Sequence, residues 1–120
     1  MSPSSRLVIC HSWYTEVESR GQAMFLIRWF LIPMIRPVLD NMRETELWLE
    51  AECDKEINWT VVRPAGLTNN PITQTEIKVE VDRFDVSGGA GRISRADVAR
   101  FMLSAISKEK YHKKGVAIAV

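Results

Sequence analysis

The chain holds little cysteine, little histidine and almost no net charge, and each shortage closes off a class of function. Two cysteines in 120 residues, Cys10 and Cys53, cannot build a disulfide framework and read as reduced thiols. The two histidines, His11 and His112, stand far apart with no Cys/His cluster around either, so no metal site is expected. A net charge of +1 supplies no broad basic or acidic field, which argues against nucleic acid as a partner. The N-terminus, Met1 to Arg6, lacks the apolar core of a secretory signal, so a cytoplasmic location is expected. Long apolar runs are also missing. The greasiest stretch, Met24 to Leu39, is shorter than the roughly 20 residues a membrane span needs. It also carries Arg28, Arg36, Pro33 and Pro37. It reads as a core or subunit-contact segment through which the chain could self-associate, with a surface-lying membrane anchor as the alternative.

Against those absences stands an ordinary soluble composition, 46% hydrophobic and 26% charged, in a length suited to one domain or a piece of one. Leu7-Val8-Ile9-Cys10 is a short apolar run of the kind found in buried parallel strands. Residues 24–32 suggest a short helix ended by Pro33. From Val38 to Cys53 the pattern turns helical, with Leu39, Met42, Leu47, Trp48 and Ala51 on one face. Arg43, Glu44, Glu46 and Glu50 fall on the solvated side, where Arg43 and Glu46 are spaced for a modest surface pair. Ile57 to Val62 is β-branched and aromatic and stops at Pro64 and Gly66. Strand, helix, strand makes a β-α-β unit, which is parallel and right-handed in nearly all known cases.

Beyond it, Leu67 to Gln74 reads as a turn-rich loop. Ile77, Val79 and Val81 alternate with charged residues as in a half-exposed strand. Ser94 and Asp97 form a variant capping box ahead of a stripe of Val98, Phe101, Met102, Ala105 and Ile106. Lys108 to Lys114 reads as a solvated basic connection, and Val116 to Val120 as a final apolar strand. Gly89-Ala90-Gly91 approaches the dinucleotide fingerprint, but it follows an alternating strand and no acidic ribose partner comes after it. A loop into a capped helix is the better reading.

Three positions could carry chemistry. Ser12 follows a buried strand, where open α/β sheets place their ligands; its hydroxyl would bind a ligand or satisfy nearby backbone groups. His11 would act as an acid or base, or serve structurally. Arg63-Pro64-Ala65-Gly66 is a turn of fixed and small residues that lets a ligand approach the backbone. Arg63 would contact a carboxylate or phosphate, or pair with an acidic residue of the neighbouring helix.

The blocks V-I-C-H-S-W-Y, W-T-V-V-R-P-A-G-L-T-N-N-P-I-T and I-S-R-A-D-V-A-R-F-M-L, in that order, resemble the atypical short-chain dehydrogenase/reductases. Within them the chain looks most like the NAD(P)H-binding, NmrA-like group that contains flavin reductase/biliverdin-IXβ reductase. The resemblance covers about residues 6 to 115. It implies an α/β fold, part of a doubly wound, Rossmann-like parallel sheet lacking the N-terminal dinucleotide-binding β-α-β units. Residues 1–120 would then be the C-terminal part of a single NAD(P)-binding domain. It further implies hydride transfer from NADP(H), or NAD(H), to a small conjugated acceptor such as a flavin or linear tetrapyrrole. The alternative is a non-catalytic regulator that senses dinucleotide or binds a partner.

By the same resemblance Ser12 is the catalytic position. Cys10, His11, Ser12, Arg63, Pro64, Ala65 and Gly66 border the cofactor. Trp13, Tyr14 and Arg63 face the substrate, and the Met24–Leu39 segment covers it. The Tyr-x-x-x-Lys pair of classical relatives is absent, since Glu18 and Gly115 stand four residues after Tyr14 and Tyr111. Protonation by solvent or by the substrate is therefore expected. The glycine-rich pyrophosphate loop is missing too, so the chain is expected to be a truncated product that binds NADPH poorly by itself.

Overall fold

The computed structural model describes residues 5–13, 29, 32–53, 57–87 and 91–120. In chain order the elements are β1 (Arg6–Cys10), α1 (Ile32–Trp48), β2 (Asn58–Pro64), β3 (Gly66–Thr68), β4 (Lys78–Val81), β5 (Arg92–Ser94), α2 (Arg95–Ala105) and β6 (Lys114–Ala119). β1, β2, β6 and β4 form a four-stranded sheet in that order, with β1–β2 and β2–β6 parallel and β4 antiparallel to β6. The strands expected to be parallel are so; β4 adds an antiparallel edge. β2 and β6 sit at the centre, buried almost throughout, which suits Val61-Val62 of β2 and the Val116–Ala119 run of β6. β3 and β5 make a separate two-stranded parallel ribbon. The stretch expected to be loop from Leu67 therefore opens with a strand, and a three-residue strand separates Gly91 from the capped helix.

The first helix departs most from expectation. It begins at Ile32 rather than Val38, and Pro33 stands in its first turn, where a missing N–H costs nothing. Pro33 thus stands within a helix; the short helix expected over 24–32 lies, but for Trp29 and Ile32, outside the described residues. Pro37 also sits inside α1, removing one backbone bond. A π-helical turn, Leu49–Cys53, completes the element. Ile32, Leu39, Glu46 and Leu49 are buried, so the inner face follows a seven-residue step from 32 to 39 to 46. Leu47 and Trp48, expected inside, are 47% and 56% exposed; Glu46, expected in solvent, is fully buried. The Arg43–Glu46 contact at 3.3 Å consequently involves a buried carboxylate, not a surface one.

α2 follows its pattern more closely. The Ser94 hydroxyl accepts from the Asp97 backbone N–H at 3.0 Å, the N-cap read from the sequence. Val98, Phe101 and Ala105 are buried against the sheet, while Ile106 turns out to be exposed. The other end is capped from across the sheet, where the Arg6 guanidinium donates to the carbonyls of Ala105 and Ile106, each at 3.1 Å. Arg6 also reaches the Thr60 hydroxyl at 2.7 Å, which donates to the Tyr111 carbonyl at 2.6 Å. Tyr111, placed by sequence in a solvated connection, is buried in a 3₁₀ turn and packs on Phe101 with ring centroids 5.6 Å apart.

Candidate functional site

The register decides where the strand tips meet. Ile9 stands opposite Val61 and Cys10 opposite Val62. The ladder continues past β1, with His11 N–H donating to the Val62 carbonyl at 2.7 Å and Trp13 N–H to the Pro64 carbonyl at 3.3 Å. Ser12 and Pro64 therefore lie at neighbouring C-terminal ends of parallel strands, where open α/β sheets bind ligands.

A cavity of about 440 Å³ opens there. His11, Ser12 and Trp13 line one side, and Pro64, Ala65 and Gly66 the next. The start of α1 supplies an apolar wall from Ile32, Ile35, Val38, Leu39 and Met42, and Leu67, Gly91 and Arg95 complete the rim. The size and apolar lining suit a small ligand. Among the described residues the Ser12 hydroxyl has no hydrogen-bond partner, so local backbone groups do not occupy it. The Trp13 indole N–H donates to the Ile118 carbonyl at 3.3 Å, holding the ring at 9% exposure between core and cavity. Gly91 adopts φ +72°, a left-handed conformation that glycine takes without strain, and its carbonyl accepts from Gly66 N–H at 2.9 Å. This bond ties the Pro64–Gly66 turn to the entrance of α2.

Other candidates fall elsewhere. Cys10 is exposed and outside the cavity lining, and the crowding around its sulfur pushes the thiol pKa up, away from thiolate reactivity. Tyr14 lies outside the described residues. The Arg63 backbone belongs to the turn, but its side chain points away from the cavity to Glu46 on α1, the acidic helix partner weighed from sequence. Its Nε and Nη2 donate to Glu46 Oε1 at 3.1 and 2.6 Å, and its Nη1 to the Arg83 carbonyl at 3.0 Å. The guanidinium lies 4.0 Å from the Phe84 ring centroid. Gly115 makes room for it, because a Cβ there would collide with the Arg63 guanidinium.

Glu46 is the site residue the sequence reading missed. Its Oε1 also takes Arg43 Nη1 at 3.3 Å, and its Oε2 lies 2.9 Å from His11 Nδ1. A fully buried carboxylate bonded to two guanidinium groups is held ionised, since a neutral acid would leave both cations without a counter-charge. The available signal was the seven-residue step Ile32, Leu39, Glu46, which puts the glutamate on the face of the two apolar residues.

The NAD(P)H-binding family model matches residues 4–109, and the chain belongs to that family. No curated protein matches the sequence. Among solved structures, the oxidoreductase ylbE from Lactococcus lactis superposes with a TM-score of 0.71 at 13% identity, covering 96% of this chain and 46% of its own. A short-chain dehydrogenase/reductase from Veillonella parvula, in complex with NADP, gives 0.71 at 14%, covering 97% and 51%. A candidate NADH-flavin reductase from Streptococcus pneumoniae gives 0.69 at 18%, covering 95% and 55%. At these identities the likeness is one of fold, and the chain spans about half the length of the structures it matches. Among the described residues no helix is long and apolar enough to cross a membrane.

Proposed function

We propose that the protein carrying this chain is an NADP(H)-dependent oxidoreductase that reduces a small conjugated acceptor, a flavin or a flat tetrapyrrole-like molecule. Residues 1–120 contribute the C-terminal part of its cofactor domain, and NAD(H) is the alternative coenzyme. The observation that carries this reading is the meeting of Ser12 with Pro64–Gly66 at adjacent parallel strand ends, around an apolar cavity of about 440 Å³. Membership of the NAD(P)H-binding family supports it, as do neighbours of the same fold that are an oxidoreductase and a complex with NADP. The reading places the protein in the cytoplasm.

The residues present fit the nicotinamide end of the cofactor. Pro64, Ala65 and Gly66 offer backbone free of bulky side chains, and the Ser12 hydroxyl can bond a carboxamide. The described residues contain no glycine-rich strand-turn-helix for a pyrophosphate. When bound, the reduced nicotinamide supplies a hydride. The chain's own part is to orient the ring with Ser12 and the turn, and to keep water out with Trp13, Ile35 and Leu39.

The test is NADPH oxidation with a flavin or biliverdin as acceptor. Ser12→Ala is expected to lower kcat/KM about tenfold, the effect of losing one hydrogen bond to a bound group. Unchanged kinetics would remove Ser12 from the site. The exposure of Met34 (72%) and Val38 on α1 favours one other reading, a dinucleotide-binding regulator that docks a partner there. Tight NADPH binding with no oxidation of it would select that reading.

A further inference from the structure

We propose that His11 is the proton donor of this site and that Glu46 is the residue that positions it. The inference rests on the reductase reading above and goes beyond it by deciding between the acid–base and structural roles left open for His11, in favour of an acid that takes the place of solvent or substrate.

Glu46 is fully buried, and its Oε1 is occupied by Arg63 and Arg43. Arg63 is itself fixed by the Arg83 carbonyl and the Phe84 ring, so this corner has little freedom. An ionised carboxylate only accepts hydrogen bonds. The 2.9 Å contact between Oε2 and His11 Nδ1 therefore requires the proton on Nδ1. The backbone holds the ring from the other side, because His11 N–H is bonded into the ladder with Val62 at 2.7 Å.

With Nδ1 committed, Nε2 is the nitrogen left for a ligand. It has no hydrogen-bond partner among the described residues, and His11 lines the same cavity as Ser12 and Gly66. A buried carboxylate that fixes the tautomer and orientation of an imidazole is the arrangement by which a histidine becomes an effective acid or base. The charged group in contact with the ring is Glu46 of α1, and Arg43 of α1 and Arg63 of β2 in turn contact the other oxygen of that carboxylate. Arg95, at the start of α2, lines the far side of the cavity.

The chemistry balances. An acceptor that has taken up a hydride has gained two electrons and one hydrogen, and carries one extra negative charge. The N–H bond at His11 Nε2 breaks as its proton adds to that anion, giving the neutral reduced acceptor and neutral imidazole. His11 then recovers a proton from water, with Nδ1–H still on Glu46.

Two measurements test this. With ¹⁵N-labelled histidine rings, long-range ¹H–¹⁵N spectra of the chain locate the ring protons; His112→Gln assigns the two signals. The expected result for neutral His11 is a proton on Nδ1 and a bare Nε2. A proton on Nε2 instead overturns the positioning by Glu46. This readout uses the wild-type network, so it stands even if Glu46→Gln fails to fold. The second is the pH dependence of NADPH oxidation with a flavin by the full-length protein that carries this chain. The wild type is expected to show a limb on which activity falls as pH rises. His11→Asn is expected to abolish that limb and lower kcat about 100-fold, the scale of a lost general acid, while KM moves less than about threefold. An unchanged kcat and limb overturn the proton-donor role while leaving the reductase reading intact. Absence of any NADPH oxidation by the wild type overturns the reductase reading, and the catalytic role of His11 with it; the ring-proton measurement still reports on the Glu46 contact.

Discussion

α2 and α1 lie on the sheet by different means. α2 is capped by Ser94 at one end and by Arg6 at the other, and buries a stripe of Val98, Phe101 and Ala105. α1 has two prolines near its start and leaves Met34, Val38, Leu47 and Trp48 exposed. It sets a buried glutamate against Arg63 and His11, while its first turns wall the cavity. Each helix buries one carboxylate, but Asp97 of α2 is bonded to Thr73 and to Arg100 of its own helix, whereas Glu46 of α1 is bonded across the fold to Arg63 and His11 beside the ligand site. Buried ionic groups of this kind are weak sources of net stability.

Substitutions can break this contrast. The largest effect is expected from Glu46→Ala. It leaves the Arg63 guanidinium, only 4% exposed, without its counter-charge and should cost about 3–5 kcal/mol in urea unfolding. A loss below 1 kcal/mol, the range of exposed pairs, would place the glutamate in solvent after all. Ser94→Ala removes the N-cap of α2 and should cost about 1 kcal/mol while leaving the His11 ring signals in place. If those signals move, the two helices are not independent.

A smaller effect appears only in acid. The Thr73 backbone N–H, aided by the hydroxyls of Thr73 and Ser94 and by Arg100, holds the Asp97 carboxyl below its ordinary value of 3.8. A depressed folded-state pKa contributes stability that is present above the ordinary value and lost as pH falls through the folded one. Unfolding followed from pH 5 downward should therefore show a slope that Asp97→Asn removes. The smallest effect belongs to Met34→Ser on the open face of α1, within about 0.5 kcal/mol. A larger loss would mean that this face is covered.

Legibility in the sequence followed the same division. The central strands, the Ser94 cap, most of the α2 stripe and the nearness of Ser12 to Pro64 could be read because each rests on a local rule of burial period, capping or parallel crossover. Glu46 could not, because charge assigned it to solvent and its partners stand on two other segments, at His11 and Arg63. The start of α1 was hidden by Pro33, read as a stop when it occupies the one turn that tolerates it. Tyr111 was masked by its lysine neighbours, although its ring packs on Phe101. β3 is three residues long and, among the described residues, pairs with β5 alone, so no periodicity announced it.

The most direct test of the central claim is to titrate the ¹⁵N-labelled full-length protein that carries this chain with NADPH and map which backbone amides of residues 1–120 move. The account predicts shifts at Ser12, Trp13, Ala65 and Gly66, at the paired tips of β1 and β2, with Lys78–Val81 on the far edge unchanged. Shifts confined to that far edge, or none at saturating NADPH, would contradict it.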